Sequence, residues 1–306
     1  MATQSPSLDH LILLVPPSPS PPTVRLHPYY AKHFTLAPGG VHADNLTANS
    51  LILLQDGCYI ELITFITSSP STIASHWWGG QPPTQRKPGW VDWCLTTIDG
   101  SPDAAQQNFE RVNEGAGEGH KYAEPVYGGR LRPDGKEVKW AVTFPEGENG
   151  GQAVRGLMPF FCHDIGDREI RVPVRNENLV KHPCGAVGVL EVQVIVRDTK
   201  SLGDFLGVYE RVLGTKGTKD GKDKVVFTVG RVREVKGLNG GSRVVFRVAN
   251  GSEKERVGAR GYCVSEITLA VLSGEKEKGL RQRLDPEGDD NVGGLWIENV
   301  GGLEEL

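Results

Sequence analysis

Three stretches of the chain carry the apolar pattern of buried strands: Leu8 to Val15 (LDHLILLV), Trp90 to Thr97 (WVDWCLTT) and Val189 to Val196 (VLEVQVIV). The third leads into the clearest helical pattern. Asp198 or Thr199 caps it, Leu202, Phe205, Leu206, Tyr209, Val212 and Leu213 form its stripe, and Gly214 ends it. Val225 to Val229, Arg243 to Val248 and Tyr262 to Leu272 follow as strands separated by glycine or charged turns. That order is βαβββ.

The second stretch repeats it, with Ser101 and Pro102 opening a helix to about Val112, then strands near Lys136 to Phe144 and Leu157 to His163. In the first stretch, Pro-rich Pro16 to Pro22 stands where a helix should start, and Ser50 to Leu54 and Cys58 to Phe65 flank a Gln55-Asp56-Gly57 hairpin turn. The pattern predicts paired modules over 1–180, a third module over 181–274, and a charged, loosely attached tail over 275–306 with one apolar patch at Leu295-Trp296-Ile297.

Composition narrows the class. At 306 residues and 38% apolar content the chain can bury a real core. A net charge of -4 gives no cationic field for nucleic acid, which is excluded as a partner. The 39 glycines cluster between apolar runs and imply many tight turns. Five scattered cysteines form no CxxC pair, which suits a reducing compartment. The N-terminus has no basic region and its apolar run is too short for a signal or a membrane span. A soluble, cytoplasmic protein is expected, and the sequons at Asn45 and Asn250 are read as chance matches.

The runs LDHLILLV, APGGVHADNLTANSLILLQDGCYIELITF, GRLRPDGKEVKWAV and LMPFF together resemble the glyoxalase-like branch of the vicinal oxygen chelate (glyoxalase/bleomycin resistance/extradiol dioxygenase) superfamily. The similarity covers roughly Leu8 to Pro183, on the spacing GGxH…TxN…YxEL. It implies an α+β fold of repeated βαβββ modules forming curved mixed sheets that enclose a pocket. It also implies a divalent metal with ligands from the first and last strands of the modules.

Strand periodicity independently places His10 with Leu8, Ile12 and Leu14, and Glu61 with Tyr59 and Ile63. Each is a lone polar group on an apolar face, where a carboxylate needs a counter-charge or a metal. His10 and Glu61 offer donors suited to zinc, iron or manganese; a satisfied His-carboxylate pair inside a core is the plainer alternative. Glu191 and Glu266 stand at matching places in the third module. In the second, Trp93 stands where His10 does and Phe161 lies near the Glu61 place, so two ligands are missing; His163, sharing a face with Phe161, is the candidate third metal ligand.

His42, in a Gly-Gly turn, and Glu61 are the candidate acid/base residues. Thr47 and Asn49 either orient a substrate oxygen or pin the turn. Arg130 and Arg132 are either an anion clamp or a charged turn before Pro133-Asp134-Gly135. Trp93, Trp140 and Phe160 are walls for a hydrophobic small molecule or simply core. No GxSxG, P-loop or GxGxxG context occurs. Two functions fit: a small-molecule enzyme, metal-assisted, with isomerase, lyase or dioxygenase chemistry on an oxygenated metabolite, or a metal-free protein sequestering a toxic or secondary metabolite. An odd count of modules leaves one half-cup, which either packs on the paired modules or forms a homodimer with another copy.

Overall fold

In a computed structural model, residues 5–16, 32–42, 44–80, 88–98, 101, 103–132, 135–148, 150–285 and 294–302 are described. All eight residues of β1 (Ser7–Leu14) are buried, because the strand lies inside a sheet covered on both faces. It is followed by β2 (Ala37–Val41), β3 (Thr47–Leu53), β4 (Tyr59–Phe65), the short α1 (Pro70–Ser75) and β5 (Gly89–Thr96). Then come α2 (Ala104–Asn113), β6 (Val126–Leu131), β7 (Glu137–Thr143) and β8 (Phe160–Asp164). These strands form one eight-stranded sheet in the order β2-β3-β4-β1-β5-β8-β7-β6.

The rest of the chain repeats the plan. α3 (Glu177–Val180) leads to β9 (Ala186–Val196), α4 (Thr199–Leu213), β10 (Thr218–Lys219), β11 (Lys224–Val229), β12 (Ser242–Val248), α5 (Glu253–Val257), β13 (Tyr262–Val271), β14 (Arg281–Arg283) and β15 (Gly294–Asn299). The second sheet runs β10-β11-β12-β9-β13-β15-β14. α4 matches its sequence pattern: Asp198 Oδ1 accepts from the Ser201 amide at 2.8 Å, and Gly214 closes the helix in the left-handed region at φ 64°.

In each sheet a first strand pairs parallel with the last strand of its own module and antiparallel with the first strand of the next: β1 with β4 and β5, β9 with β12 and β13. β13 is therefore the opening strand of a fourth, abbreviated module and not the last of the third. The stretch 275–306, expected as a tail, supplies β14 and β15, with β15 parallel to β13. The even count removes the unpaired half-cup from which a homodimer was inferred. β2 and β6 were missed because APGGV and VYGGRL place glycine pairs inside short edge strands. Most of Pro16 to Pro22, and Pro102, Pro133 and Asp134, lie outside the described residues.

The two sheets share a core. Leu11, Trp93 and Phe161 of the first join Val192, Phe246 and Ile267 of the second in one buried cluster, with Tyr209 of α4 stacked on Phe246 at 3.6 Å. Tyr209 and Tyr262 donate hydrogen bonds across the junction to the carbonyls of Leu157 and Arg155, at 3.1 and 2.7 Å. The hairpin at Gly57 (φ 84°) also crosses it, since Asp56 accepts from Arg231 Nη1 at 2.7 Å and from the Val189 amide at 2.9 Å. Because these faces meet, each sheet turns its other face outward as a cup.

Candidate functional site

The outward face of the first sheet holds a separate apolar cluster of Ile12, Leu14, Ile63, Val91, Cys94, Phe160 and Cys162, with Trp78, Trp140 and Phe144 packed against it. Into this surface project His10 from β1 and Glu61 from β4, both buried. His10 Nε2 lies 3.6 Å from Glu61 Oε2, and His42 Nε2 lies 3.3 Å from Glu61 Oε1. Asn49 of β3 donates to Glu61 Oε1 at 2.7 Å and lies 3.2 Å from His42 Nε2. Its amide is oriented by the Gly40 N–H, which donates to Oδ1 at 2.9 Å. Thr47 Oγ1 sits 2.6 Å from His42 Nδ1. Thus His10, His42, Thr47, Asn49 and Glu61 form one connected polar centre.

Behind it lies a second layer. Asp9 Oδ2 accepts from His10 Nδ1 at 2.5 Å, while Arg168 and Arg171 clamp Asp9 and Asp164. Burial opposes the Asp9 charge, but the two guanidiniums and His10 hold its carboxyl well below the usual range. Tyr59 stacks on His10 at 4.6 Å and accepts from Arg171 Nη1 at 2.9 Å. Burial likewise opposes Glu61, yet the hydrogen bond and charge of His42, the charge of His10 and the Asn49 amide bring it to about 2. His42 is raised: burial acts against its proton, and Glu61, with Asp44 farther off, outweighs burial.

Strand irregularities align the modules. Between β1 and β5 the register skips Asp9 on one strand and Val91 on the other, each two residues before the central pair Leu11 and Trp93. The second sheet skips Leu190 and Ser265 in the same way about Val192 and Ile267. The positions equivalent to His10 are therefore Asp92, Glu191 and Glu266, one residue after each skip. The partner of Ile12 on β4 is Glu61; its equivalents are Phe160, Val245 and Trp296.

This alignment changes several expectations. Trp93 matches Leu11 rather than His10 and lies in the shared core, its Nε1 donating to the Gly156 carbonyl at 3.0 Å. Phe160, not Phe161, occupies the Glu61 place, and it faces His10 edge-on at 5.3 Å. His163 follows Phe161 to the opposite face, stacked on it at 6.2 Å, so it is not brought to His10 and Glu61. Glu266 matches His10, and it pairs with Arg281 at 3.0 Å; Glu191 pairs with Arg243 at 2.9 Å. Trp140 is on the cup face. Arg132 Nη1 donates to the Ile170 carbonyl at 2.7 Å, which makes it a brace for that turn. Arg130 is half-buried, its Nη1 reaching to within 3.9 Å of where a Cβ on Gly40 would stand.

Sequence reasoning did not find Asp92 and Arg155. Arg155 Nε pairs with Asp92 Oδ2 at 2.9 Å, and its fully buried guanidinium lies 3.4 Å over the Trp77 ring and 4.3 Å over Phe144. The isolated Asp in the apolar run WVDWCL was the available signal. Asp9, His10 and Cys94 also gather donor atoms within 4.8 Å of one another, but Asp9 is committed to Arg168 and Arg171. Among the described residues no helix is long and apolar enough to cross a membrane.

A family model described as a glyoxalase-like domain matches residues 8–206, well over half of the chain. None of the curated proteins matches the sequence. A solved structure, that of a hypothetical protein from Staphylococcus aureus, is similar over 96% of this chain and 100% of its own, with a TM-score of 0.66 at 13% identity. That likeness shows the fold. Methylmalonyl-CoA epimerase from Mycobacterium tuberculosis aligns with 38% of this chain and 89% of its own at 10% identity, with a TM-score of 0.26.

Proposed function

The chain belongs to the glyoxalase-like domain family of the vicinal oxygen chelate superfamily, and from that premise we propose a small-molecule enzyme whose first cup takes an oxygen-bearing metabolite. One observation carries the reading: Glu61 offers one oxygen to each of two imidazoles on an otherwise apolar and aromatic surface. A lone carboxylate on such a surface is costly unless it has work to do or a charge to meet.

Two of the residues, His10 and Glu61, stand near the spacing of neighbouring donors on a divalent metal. Bonds of about 2.0–2.2 Å to nitrogen and oxygen place neighbouring donors roughly 3.0–3.5 Å apart, close to the 3.6 Å between His10 Nε2 and Glu61 Oε2. Asp9 on His10 Nδ1 is the outer partner that fixes a ligand's tautomer. His10 and Glu61 would hold zinc, iron or manganese, and the ion would supply a Lewis acid for a carbonyl or enolate oxygen. The chain's own residues do the rest. Arg130 neutralises a substrate carboxylate at the rim, Thr47 and Asn49 fix the imidazole and carboxylate, and Trp140 and Phe160 exclude water. In the metal-free cup His42 Nε2 and Glu61 Oε1 face each other across 3.3 Å, near enough to pass a proton between them. Isomerase, lyase and dioxygenase-type reactions all begin with loss of a proton on or beside such an oxygen.

A metal-free binding protein for a toxic or secondary metabolite is the second reading. It is favoured by Arg155 neutralising Asp92 and by Phe160 at the Glu61 place, which leave the second module without free ligands. Metal content after dialysis against zinc, iron(II) and manganese(II) separates the two. About one equivalent in the wild type, lost in His10→Ala and Glu61→Ala, is expected. No metal under any loading condition, with metabolite uptake from an extract unchanged in both variants by native mass spectrometry, would leave only the binding protein.

A further inference from the structure

We propose that the first cup takes an apolar carboxylic acid, whose carboxylate docks on Arg130 in the space left open by Gly40. The inference rests on the small-molecule cup proposed above and deepens it by naming the class of compound and its orientation.

The curl of the first sheet sets the place. β2 and β6 are its two edge strands, yet Arg130 Nη1 of β6 comes within 3.9 Å of where a Cβ on Gly40 of β2 would stand. The edges therefore meet across the mouth of the cup, with Arg130 between them. On β6, Arg130 shares a face with Gly128, the partner of Trp140, so it stands on the cup side.

Three observations converge there. First, Arg130 is half-buried and has no hydrogen-bond or ion-pair partner among the described residues. Nearby arginines are committed: Arg132 to the Ile170 carbonyl, Arg155 to Asp92, and Arg168 and Arg171 to Asp9 and Asp164. Burial, and after it the charge of Arg132, act against the Arg130 proton. A guanidinium keeps its charge nonetheless, and here it lacks the anion that would offset its partial loss of water.

Second, neither backbone shape nor packing requires glycine at position 40. Its φ lies outside the left-handed region, and an added Cβ would be in ordinary contact with Arg130 alone. At Gly39 the same atom would stand 2.1 Å from Asn49 Oδ1, so there the sheet itself demands glycine. Gly40 instead leaves room beside the guanidinium. Third, the wall next to the cation is aromatic. A Cβ on Gly128 would stand 3.1 Å from Trp140 Nε1, so the indole lies close over β6 near Arg130. Half-buried Trp78 and Phe144 and buried Phe160 continue that wall. A lone guanidinium at the mouth suits one carboxylate, and the rings suit an apolar body behind it. Held so, the acid extends toward His10 and Glu61 on the middle strands β1 and β4.

Phenylacetate, 3-phenylpropionate, their amides and inorganic phosphate are the probes, titrated into the full-length protein by tryptophan fluorescence and saturation-transfer NMR. Both acids should bind, their amides about 10-fold or more weakly, and phosphate should not displace them. Arg130→Gln should weaken the acids by about 10-fold or more and change the amides little. Arg130→Lys should recover part of the loss, because the charge returns without the fork. Gly40→Val should weaken the acids by filling the space, at the urea midpoint of the wild type. Lys139→Gln, on the opposite face of β7 and paired with Glu137, should bind as the wild type does. Equal affinity for acids and amides, or acid binding untouched in Arg130→Gln and Gly40→Val, overturns the Arg130 seat while the small-molecule cup stands. Phosphate bound as tightly as the acids overturns the apolar class. If nothing in the set binds, the proposal falls whole, and the metal measurement above still decides the enzyme reading separately.

Discussion

His163 shows what a single residue's environment does to it. Its ring is 1% exposed, neither nitrogen has a partner among the described residues, and burial drives its pKa to about 4 despite the nearby charges of Asp9 and Asp164. The unfolded chain, with a histidine near 6.5, takes up the proton first, so protonation favours unfolding. Stability is level above pH 6.5 and falls as the pH drops toward 4, by about 1.4 kcal/mol per unit, or roughly 3 kcal/mol in all. His163→Leu should remove that slope and be the more stable protein at pH 4.5, as urea titrations at pH 7.5 and 4.5 would show; parallel losses in both proteins would acquit His163. The sequence did place His163 and Phe161 on one face. It could not say which face, because FFCHD is apolar on both and strand parity alone has no sign. His10, Glu61 and His42 were legible for the opposite reason: each is a polar residue set against an apolar or glycine-rich background.

At the scale of elements, the strand-first modules were readable from apolar runs, but their alignment was not. A skipped residue shifts every following side chain by one face, and the skip at Val91 makes Asp92, rather than Trp93, the counterpart of His10. The consequence is the buried pair Asp92 and Arg155, which joins β5 to the segment before β8 beneath Trp77. Removing one partner strands a charge in the apolar interior, so Arg155→Met should lose about 3–5 kcal/mol of stability. Adding Asp92→Asn should restore most of that loss, since two neutral groups need no counter-charge. Denaturant midpoints for the single and double variants test this, and additive losses would mean that the pair is not coupled. The second cup repeats the device with exposed partners, Glu191 on Arg243 and Glu266 on Arg281. Charge neutralisation by arginine thus stands at three of the four places that match His10, and only His10 itself is free of it.

At the scale of the whole molecule, the two sheets turn their inner faces to one core, and the C-terminal strands complete it. RQR is charged and short, and glycine flanks the apolar patch of β15, so neither segment carries a strand pattern strong enough to read. Tertiary pairing supplies what the local pattern lacks: β15 lies parallel to β13, Leu284 and Leu295 are buried to 1% and 2%, and the Asp285 carboxylate accepts from the Leu295 amide at 2.7 Å. A chain ending at Ser273 loses both leucines and bares the edge of β13. Two buried leucines alone are worth roughly 4 kcal/mol, against a typical total of about 5–15 kcal/mol, and an open apolar edge invites association. The shortened protein should therefore unfold at a clearly lower urea concentration and elute as aggregate on size exclusion. A truncated chain that stays monomeric with the full-length midpoint would show that residues 274–306 hang on the sheet without supporting it. The same cut tests the link between the halves, because β13 belongs to the core that also contains Trp93. Loss of β15 should loosen the back of the first cup, and the metal content retained after dialysis against zinc, iron(II) or manganese(II) should fall with it.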